Sequence, residues 1–481
     1  MSARTRELFG LIPVSLLVSA GFAAVLVSRT EEVSDATITY GLVFLGLCVF
    51  AHLFIRARLP DADPYLFPLS AVLAAFGLVM IYRIDAELAR EQAQWFVIGL
   101  IAFCATVTFL RDHHSLERYR YTIAAVGIGL LVLPRLPGIG AQVNGAFLAV
   151  KVGAIQFQPA EFAKIAIIVF LASYLRDTGD VLVRARLKPL PFQNQLLLFG
   201  GAAAFVLLVS TVLDLTTAGT VLLAVFTASL AAIMRERPSL KHFGPLLLVW
   251  GLAMLMLLFI RDLGSSLMFF GGFLALLYVA TARLSLVGVG ATMFLGGATF
   301  FANSVTHVQK RVDIWLDPFH PKVVDDEGYQ VAQSLFAQAD GGLFGQGFGQ
   351  ALLQLPSGQS ILPAAHTDLI YAVIVNEAGL FGAAGLILVY LLFAARGFKT
   401  AMVAGDGFSK LLAAGLTAVF ALQVFVIVGG VTRVIPLTGV TLPFVSYGGS
   451  SIVANMVLLA LLLIVSDHAR EDRARLQGGL V

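Results

Sequence analysis

The chain has 481 residues, of which 58% are hydrophobic and 13% charged, with a formal net charge of +3. Soluble domains run at about 45–50% apolar and about 25% charged, so 32 basic and 29 acidic side chains cannot cover a water-exposed surface of this size. Together with a mean hydropathy of +0.89, this excludes a soluble domain, and the small net charge without a basic tract excludes a nucleic-acid partner.

Apolar runs bounded by charges or Pro/Gly clusters lie near 9–28, 38–55, 66–82, 94–110, 121–134, 162–175, 195–213, 219–234, 243–260, 265–282, 285–303, 369–395, 411–430 and 447–466. A spanning helix needs about 20 such residues, and the pattern predicts an all-α polytopic membrane protein of about fourteen transmembrane helices. The first run is too long for a signal-peptide core and has no clean small-x-small site after it, so it reads as a retained span. Cys48 and Cys104 sit inside apolar runs and read as small buried hydrophobes. An even number of spans puts both termini on one side. With that side cytoplasmic, the inner segments hold 21 of the 32 basic residues, as the positive-inside rule requires.

Two outer connections are long, about 135–162 and 304–368, and long loops on a helical scaffold carry function. The second holds the cationic pair Lys310 and Arg311, then Asp317, Asp325, Asp326, Gln330 and Ser334, a glycine-rich turn from Gly341 to Gly349, and His366 near its end. Carboxylates able to take a proton from a hydroxyl, beside cations able to stabilise a departing diphosphate, suit sugar–phosphate chemistry. A merely solvated loop would have the same composition. Glu161 and Lys164 are spaced i,i+3 at the mouth of a span and share a helix face, as an interfacial ion pair or as part of a site. Asp262 precedes another span, where N-capping is the ordinary role. Between Pro436 and Ser451, two prolines and three glycines interrupt the chain at membrane depth, which is tolerated only inside protein or beside a cavity. This segment, with Ser446 and Ser450, is therefore expected to line the site. No Cys/His cluster has metal-ligand spacing, and no Walker loop or GxSxG elbow is present.

In order along the chain stand Gly77-Leu-Val-Met-Ile-Tyr82, Asn144-Gly-Ala146, Gln158-Pro-Ala-Glu-Phe-Ala-Lys164, Asp262-Leu-Gly-Ser-Ser266, Gly328-Tyr-Gln330 with Ser334, Pro363-Ala-Ala-His-Thr-Asp368 and Ser446-Tyr-Gly-Gly-Ser-Ser451. This series resembles the SEDS family (shape, elongation, division and sporulation) of RodA, FtsW and SpoVE proteins. The runs Asp262–Arg283 and Trp315–Phe319 look most like actinobacterial RodA-type members. Three features depart from the pattern. Phe147, Leu148 and Ala149 stand where basic residues and a tryptophan are usual. Extra spans precede and interrupt the core, giving an N-terminal pair in 1–65, a core over 66–466 with an inserted hairpin at about 195–234, and a cytoplasmic tail over 467–481. The usual position of the loop aspartate is Val323, so Asp325 or Asp326 is the expected base, with Asp317 as fallback.

The resemblance implies an inverting peptidoglycan glycosyltransferase of the bacterial cell membrane that polymerises lipid II onto a nascent glycan and releases undecaprenyl diphosphate. It implies a class B penicillin-binding protein as partner, substrate-binding roles for Lys310, Arg311, Gln330, Ser334, His366, Glu161, Lys164, Ser446 and Ser450, and leaves a divalent cation open as cofactor. The alternatives are a lipid-linked-sugar flippase, which would place its binding groups at the bilayer midplane between inverted repeats, and a noncatalytic scaffold for a cell-wall synthase.

Overall fold

A computed structural model describes all residues except 1–2, 29–34, 138, 144–145, 153–154, 184–190, 213–216, 237–250, 252–262, 305, 322–323, 325, 327, 352, 354–360 and 479–481. The described helices are α1 (Ala3–Gly10), α2 (Ile12–Ser28), α3 (Asp35–Arg58), α4 (Leu66–Ile84), α5 (Ala86–Phe109), α6 (Ser115–Arg118), α7 (Arg120–Val132), α8 (Ala160–Val183), α9 (Phe192–Val212) and α10 (Thr217–Glu236). They continue with α11 (Leu263–Thr281), α12 (Leu284–Ser304), α13 (Thr306–Leu316), α14 (Tyr329–Gly341), α15 (Ile370–Val403), α16 (Gly407–Val431) and α17 (Gly449–Gly478).

Each predicted apolar run coincides with a helix except 243–260, which lies outside the described residues apart from Gly251. Nine spans among the described residues are long and apolar enough to cross a membrane. At two of the other predicted runs the helices are shorter or more charged: α7 has 13 residues, and α8 carries Glu161, Lys164, Arg176, Asp177 and Asp180 within its 24. The protein is a polytopic all-α membrane protein. Leu196, Leu197, Leu207 and Leu208 on α9 stay exposed, as a lipid-facing surface requires. Helix α17 is almost wholly buried and packs most extensively on α5.

The described parts of the two long loops contain regular secondary structure. Between α7 and α8 runs a three-stranded antiparallel sheet, β1 (Gly140–Val143), β2 (Ala146–Val152) and β3 (Ile155–Phe157). Val143 pairs with Ala146, so only Asn144 and Gly145 separate β1 from β2, and Asn-Gly is the strongest short hairpin signal. The 304–368 connection contains α13 and α14. Its glycine-rich turn docks on a break in α15, where Gly379 has φ 65° and ψ −170°. There Gln346 N donates to Asn376 O (2.8 Å), Gly347 N to Glu377 O (3.2 Å), Leu380 N to Gly342 O (3.0 Å) and Phe381 N to Leu343 O (3.2 Å). The turn thus satisfies backbone groups that the kink exposes.

Helix α4 approaches the segment between α16 and α17 so closely that a Cβ on Gly77 would lie 2.6 Å from both Cα and O of Val445. A backbone neighbour cannot yield as a flexible side chain can. Gly77→Ala is expected to destabilise the protein by about 1–3 kcal/mol despite its higher helix propensity. Gly46→Ala on α3, where a Cβ would meet nothing within 4 Å, should be neutral or slightly stabilising. Thermal unfolding in detergent distinguishes the two, and equal effects would contradict the close approach.

Candidate functional site

After Val431 the chain leaves the helix and does not re-enter one until Gly449. Arg433 (φ 62°), Gly439 (φ 75°) and Phe444 (φ 64°) all occupy the left-handed region. Such a segment exposes peptide groups that a helix would satisfy, and here side chains from the surrounding spans take them up. Gln92 of α5 donates from Nε2 to Ser446 O (3.1 Å) and accepts from Gly448 N at Oε1 (3.1 Å). Tyr390 of α15 donates to Pro443 O (2.6 Å). Gln423 of α16 donates from Nε2 to Thr441 O (2.9 Å).

Gln423 also joins this segment to the predicted ion pair. Lys164 Nζ donates to Glu161 Oε2 and to Gln423 Oε1, each at 2.6 Å. Lys164 is 2% exposed, Glu161 6% and Gln423 0%, which rules out a snorkelling surface pair. The first residues of α8 are fixed from the other side by Gln158 N, which donates to Ser450 Oγ (2.9 Å). A run of polar contacts therefore crosses from α8 through α16 to the interrupted segment.

The outer loop grips the same segment. Arg311 of α13 donates from Nη1 to Leu437 O (2.8 Å). Trp315 Nε1 donates to Arg433 O (3.1 Å), and Arg433 Nε donates back to Trp315 O (2.8 Å). Asp368 Oδ2 lies 3.6 Å from where a Cβ on Gly439 would be. Burial pushes the Asp368 carboxyl up to about 6, against the opposing pull of the Arg311 guanidinium and a hydrogen bond from Thr367. Burial also lowers the pKa of His366, favouring its neutral form. Its ring meets Tyr447 edge-on at 5.7 Å, and the Tyr447 hydroxyl hydrogen-bonds Glu91.

The predicted residues fall into three groups. Glu161, Lys164, Ser446, Ser450, Arg311 and His366 meet around the 432–448 segment. Ser446 is a structural linchpin: its Oγ accepts from Leu442 N (2.9 Å) and donates to Thr367 O (2.7 Å). Ser334 is buried on α14; Gln338 of the same helix donates to Ser334 O (3.0 Å) and to Val431 O (2.9 Å). Gln330 is half-buried in the first turn of α14, while Lys310, Asp317 and Asp326 are exposed. Asp325, Asp262 and Asn144 lie outside the described residues. Groups with metal-ligating geometry among the described residues, Asp112–His113–His114 and His114–Glu117–Asp406, include none of the predicted site residues.

Several residues at the site were not singled out from sequence. Arg83 of α4 reaches Glu377 of α15 (Nε to Oε1, 3.1 Å) and donates from Nη2 to Gly349 O (2.8 Å) and Ala351 O (2.9 Å). It ties the glycine-rich turn to two spans. Gln423 is a buried amide inside an apolar run, a signal in its own right, and Gln92 is a buried amide just before one.

An FtsW/RodA/SpoVE model, described as cell cycle protein, matches residues 64–235 and 218–471. The chain belongs to this family. It is 38% identical over 479 residues to the peptidoglycan glycosyltransferase RodA of Mycobacterium tuberculosis, covering 97% of this chain and 91% of that one. It is 27% identical over 419 residues to the stage V sporulation protein E of Bacillus subtilis, covering 85% and 98%. Among solved structures it resembles a chain described under "Structural coordination of polymerization and crosslinking by a peptidoglycan synthase complex" (TM-score 0.60, 24% identity, 85% and 98% covered). It also resembles the RodA of Thermus thermophilus (TM-score 0.50, 23% identity, 84% and 96% covered). At these identities the two structures establish the FtsW/RodA/SpoVE fold.

Breaking the buried pair should cost more than deleting it. Glu161→Gln or Lys164→Met alone leaves a charge without its counter-ion, at about 3–5 kcal/mol, whereas the double variant leaves none. Thermal unfolding should order the variants wild type, double, then singles; singles no worse than the double would contradict the coupling.

Asp368 gives a pH prediction. Its folded pKa of about 6 lies above the ordinary 3.8, so the folded state binds the proton more tightly. Stability from this group is full below about pH 4 and declines as pH rises through 6, by on the order of 2–3 kcal/mol. Asp368→Asn should flatten that part of the stability-versus-pH curve, and an unchanged curve would contradict the assignment.

Proposed function

We propose that this FtsW/RodA/SpoVE protein polymerises peptidoglycan strands from lipid II at the outer surface of the bacterial cell membrane. The chain is a peptidoglycan glycosyltransferase by its relatives. The observation that carries the finer reading is the Glu161–Lys164–Gln423 cluster, held against an interrupted backbone that the outer loop also grips. A lysine has three N–H donors, and Glu161 and Gln423 take two of them. In this reading the third serves a diphosphate oxygen, where a fixed cation stabilises the charge that develops as undecaprenyl diphosphate leaves.

In this reading a loop carboxylate, Asp325 or Asp326 with Asp317 behind them, removes the proton from the acceptor 4-hydroxyl, which attacks the anomeric carbon with inversion. Asp326 O accepts from Tyr329 N (3.2 Å), so this aspartate stands where the loop enters α14. The packed helix α14 would fix the carboxylate's height above the segment. Both termini lie in the cytoplasm, consistent with the distribution of basic residues. A class B penicillin-binding protein crosslinks the product, a pairing supported by the fold shared with the peptidoglycan synthase complex.

Purified protein incubated with fluorescently labelled lipid II, with and without its transpeptidase, tests the reading. Polymer should form, and the essential aspartate replaced by asparagine should lower the rate by at least about a hundredfold, the typical share of a general base, with partner binding intact. Normal polymerisation by Asp325→Asn, Asp326→Asn and the double variant would move the assignment to Asp317. Translocation of lipid II without polymer would favour the flippase.

A further inference from the structure

The end of the bundle opposite the outer loop carries a cavity of about 580 Å³, where α1, the turn before α4, the end of α15 and the end of α17 converge. Its lining includes five cations, Arg6, Arg396, Lys399, Arg470 and Arg473, drawn from three separate parts of the sequence. The carboxylate beneath them is Asp63, which is fully buried and paired with both Arg396 and Arg470. Arg396 is further fixed over the Tyr65 ring, 4.6 Å from its centroid. Glu471 pairs with Arg475 and the Asp467 carboxylate accepts from Asp61 N (2.8 Å); neither lines the cavity. Among the described residues, Arg6, Lys399 and Arg473 are exposed and make no ion pair.

A positive-inside bias demands basic residues on this face but no particular arrangement. Here one buried aspartate orients two guanidiniums, and three further cations surround the opening. Planar guanidiniums held in this way match the oxygens of a phosphate. A basic pocket between span ends also lies at the depth of lipid headgroups.

We propose that this cavity is a binding site for a phosphate-bearing anion at the membrane surface opposite the outer loop. The bound group is a phosphate ester, presented either by an anionic phospholipid headgroup or by a soluble phosphate compound. The site is separate from the polymerising end and requires no contact with it.

The test uses the full-length protein in detergent, titrated with phosphatidylglycerol and followed by native mass spectrometry, with phosphatidylcholine and inorganic phosphate as the other arms. The triple variant Arg6→Gln, Lys399→Gln, Arg473→Gln removes charge without touching the Asp63 pairs. The control triple variant, Arg56→Gln, Arg58→Gln, Arg111→Gln, removes the same charge from exposed positions outside the cavity. Unchanged melting temperatures verify that both variants fold.

A discrete phosphatidylglycerol adduct that weakens on the order of a hundredfold in the cavity variant, and stays near wild type in the control, supports a lipid headgroup. Binding of inorganic phosphate that is lost in the cavity variant, without discrimination between the two lipids, supports a soluble ligand at the same site. Equal losses in the two variants, or no binding in any arm, would overturn the proposal.

Discussion

A polypeptide that leaves the helix inside a membrane has no water to receive its peptide groups. The structure meets that constraint between Val431 and Gly449 by bringing polar side chains in from neighbouring spans. Gln92, Tyr390 and Gln423 each bond the backbone of this segment. The Gln423 contact carries the buried Glu161–Lys164 pair with it. A merely apolar packing of the same spans would leave carbonyls and a lysine buried without partners, each at a cost of several kcal/mol. The polar cluster is thus the condition for the irregular segment, and the irregular segment is what opens a non-helical surface beneath the outer loop.

The loop follows from the same arrangement. Arg311, Trp315 and Gln338 all bond backbone carbonyls at the end of α16 or in the segment after it. Arg83 holds the glycine-rich turn against the broken helix α15. The loop is therefore anchored at both ends to rigid spans, and Asp317 and Asp326 project from the part between the anchors. The buried Lys164 thus stands in the wall of the bundle, while Asp317 and Asp326 stand exposed in the loop above it.

The helices were legible in sequence because runs of about 20 apolar residues leave few alternatives in lipid. The Glu161–Lys164 pair was legible through its i,i+3 spacing, and the interruption at 436–451 through its prolines and glycines. The sheet between α7 and α8 was not. Its strands are short, and in the sequence Asn144-Gly145 stands out as part of a family motif before anything else. Gln423 is hidden because a single amide barely alters the hydropathy of a run, and Gln92 because it stands with Arg90, Glu91 and Gln94 in a polar stretch at a run's edge. Only the three-dimensional path of the 432–448 segment shows what they satisfy. Gly77 is a similar case: its motif was visible, but its physical reason, the backbone of Val445 at its side, belongs to tertiary structure.

Buried polar side chains hold the interrupted segment in place. Hydrogen–deuterium exchange of purified Gln423→Leu across residues 438–448, with α17 as internal reference, tests it most directly. Losing one buried bond and its link to Lys164 should speed exchange in that segment by about tenfold or more while the amides of α17 keep their protection. Exchange in 438–448 unchanged from wild type, in a protein that folds normally, would contradict the account.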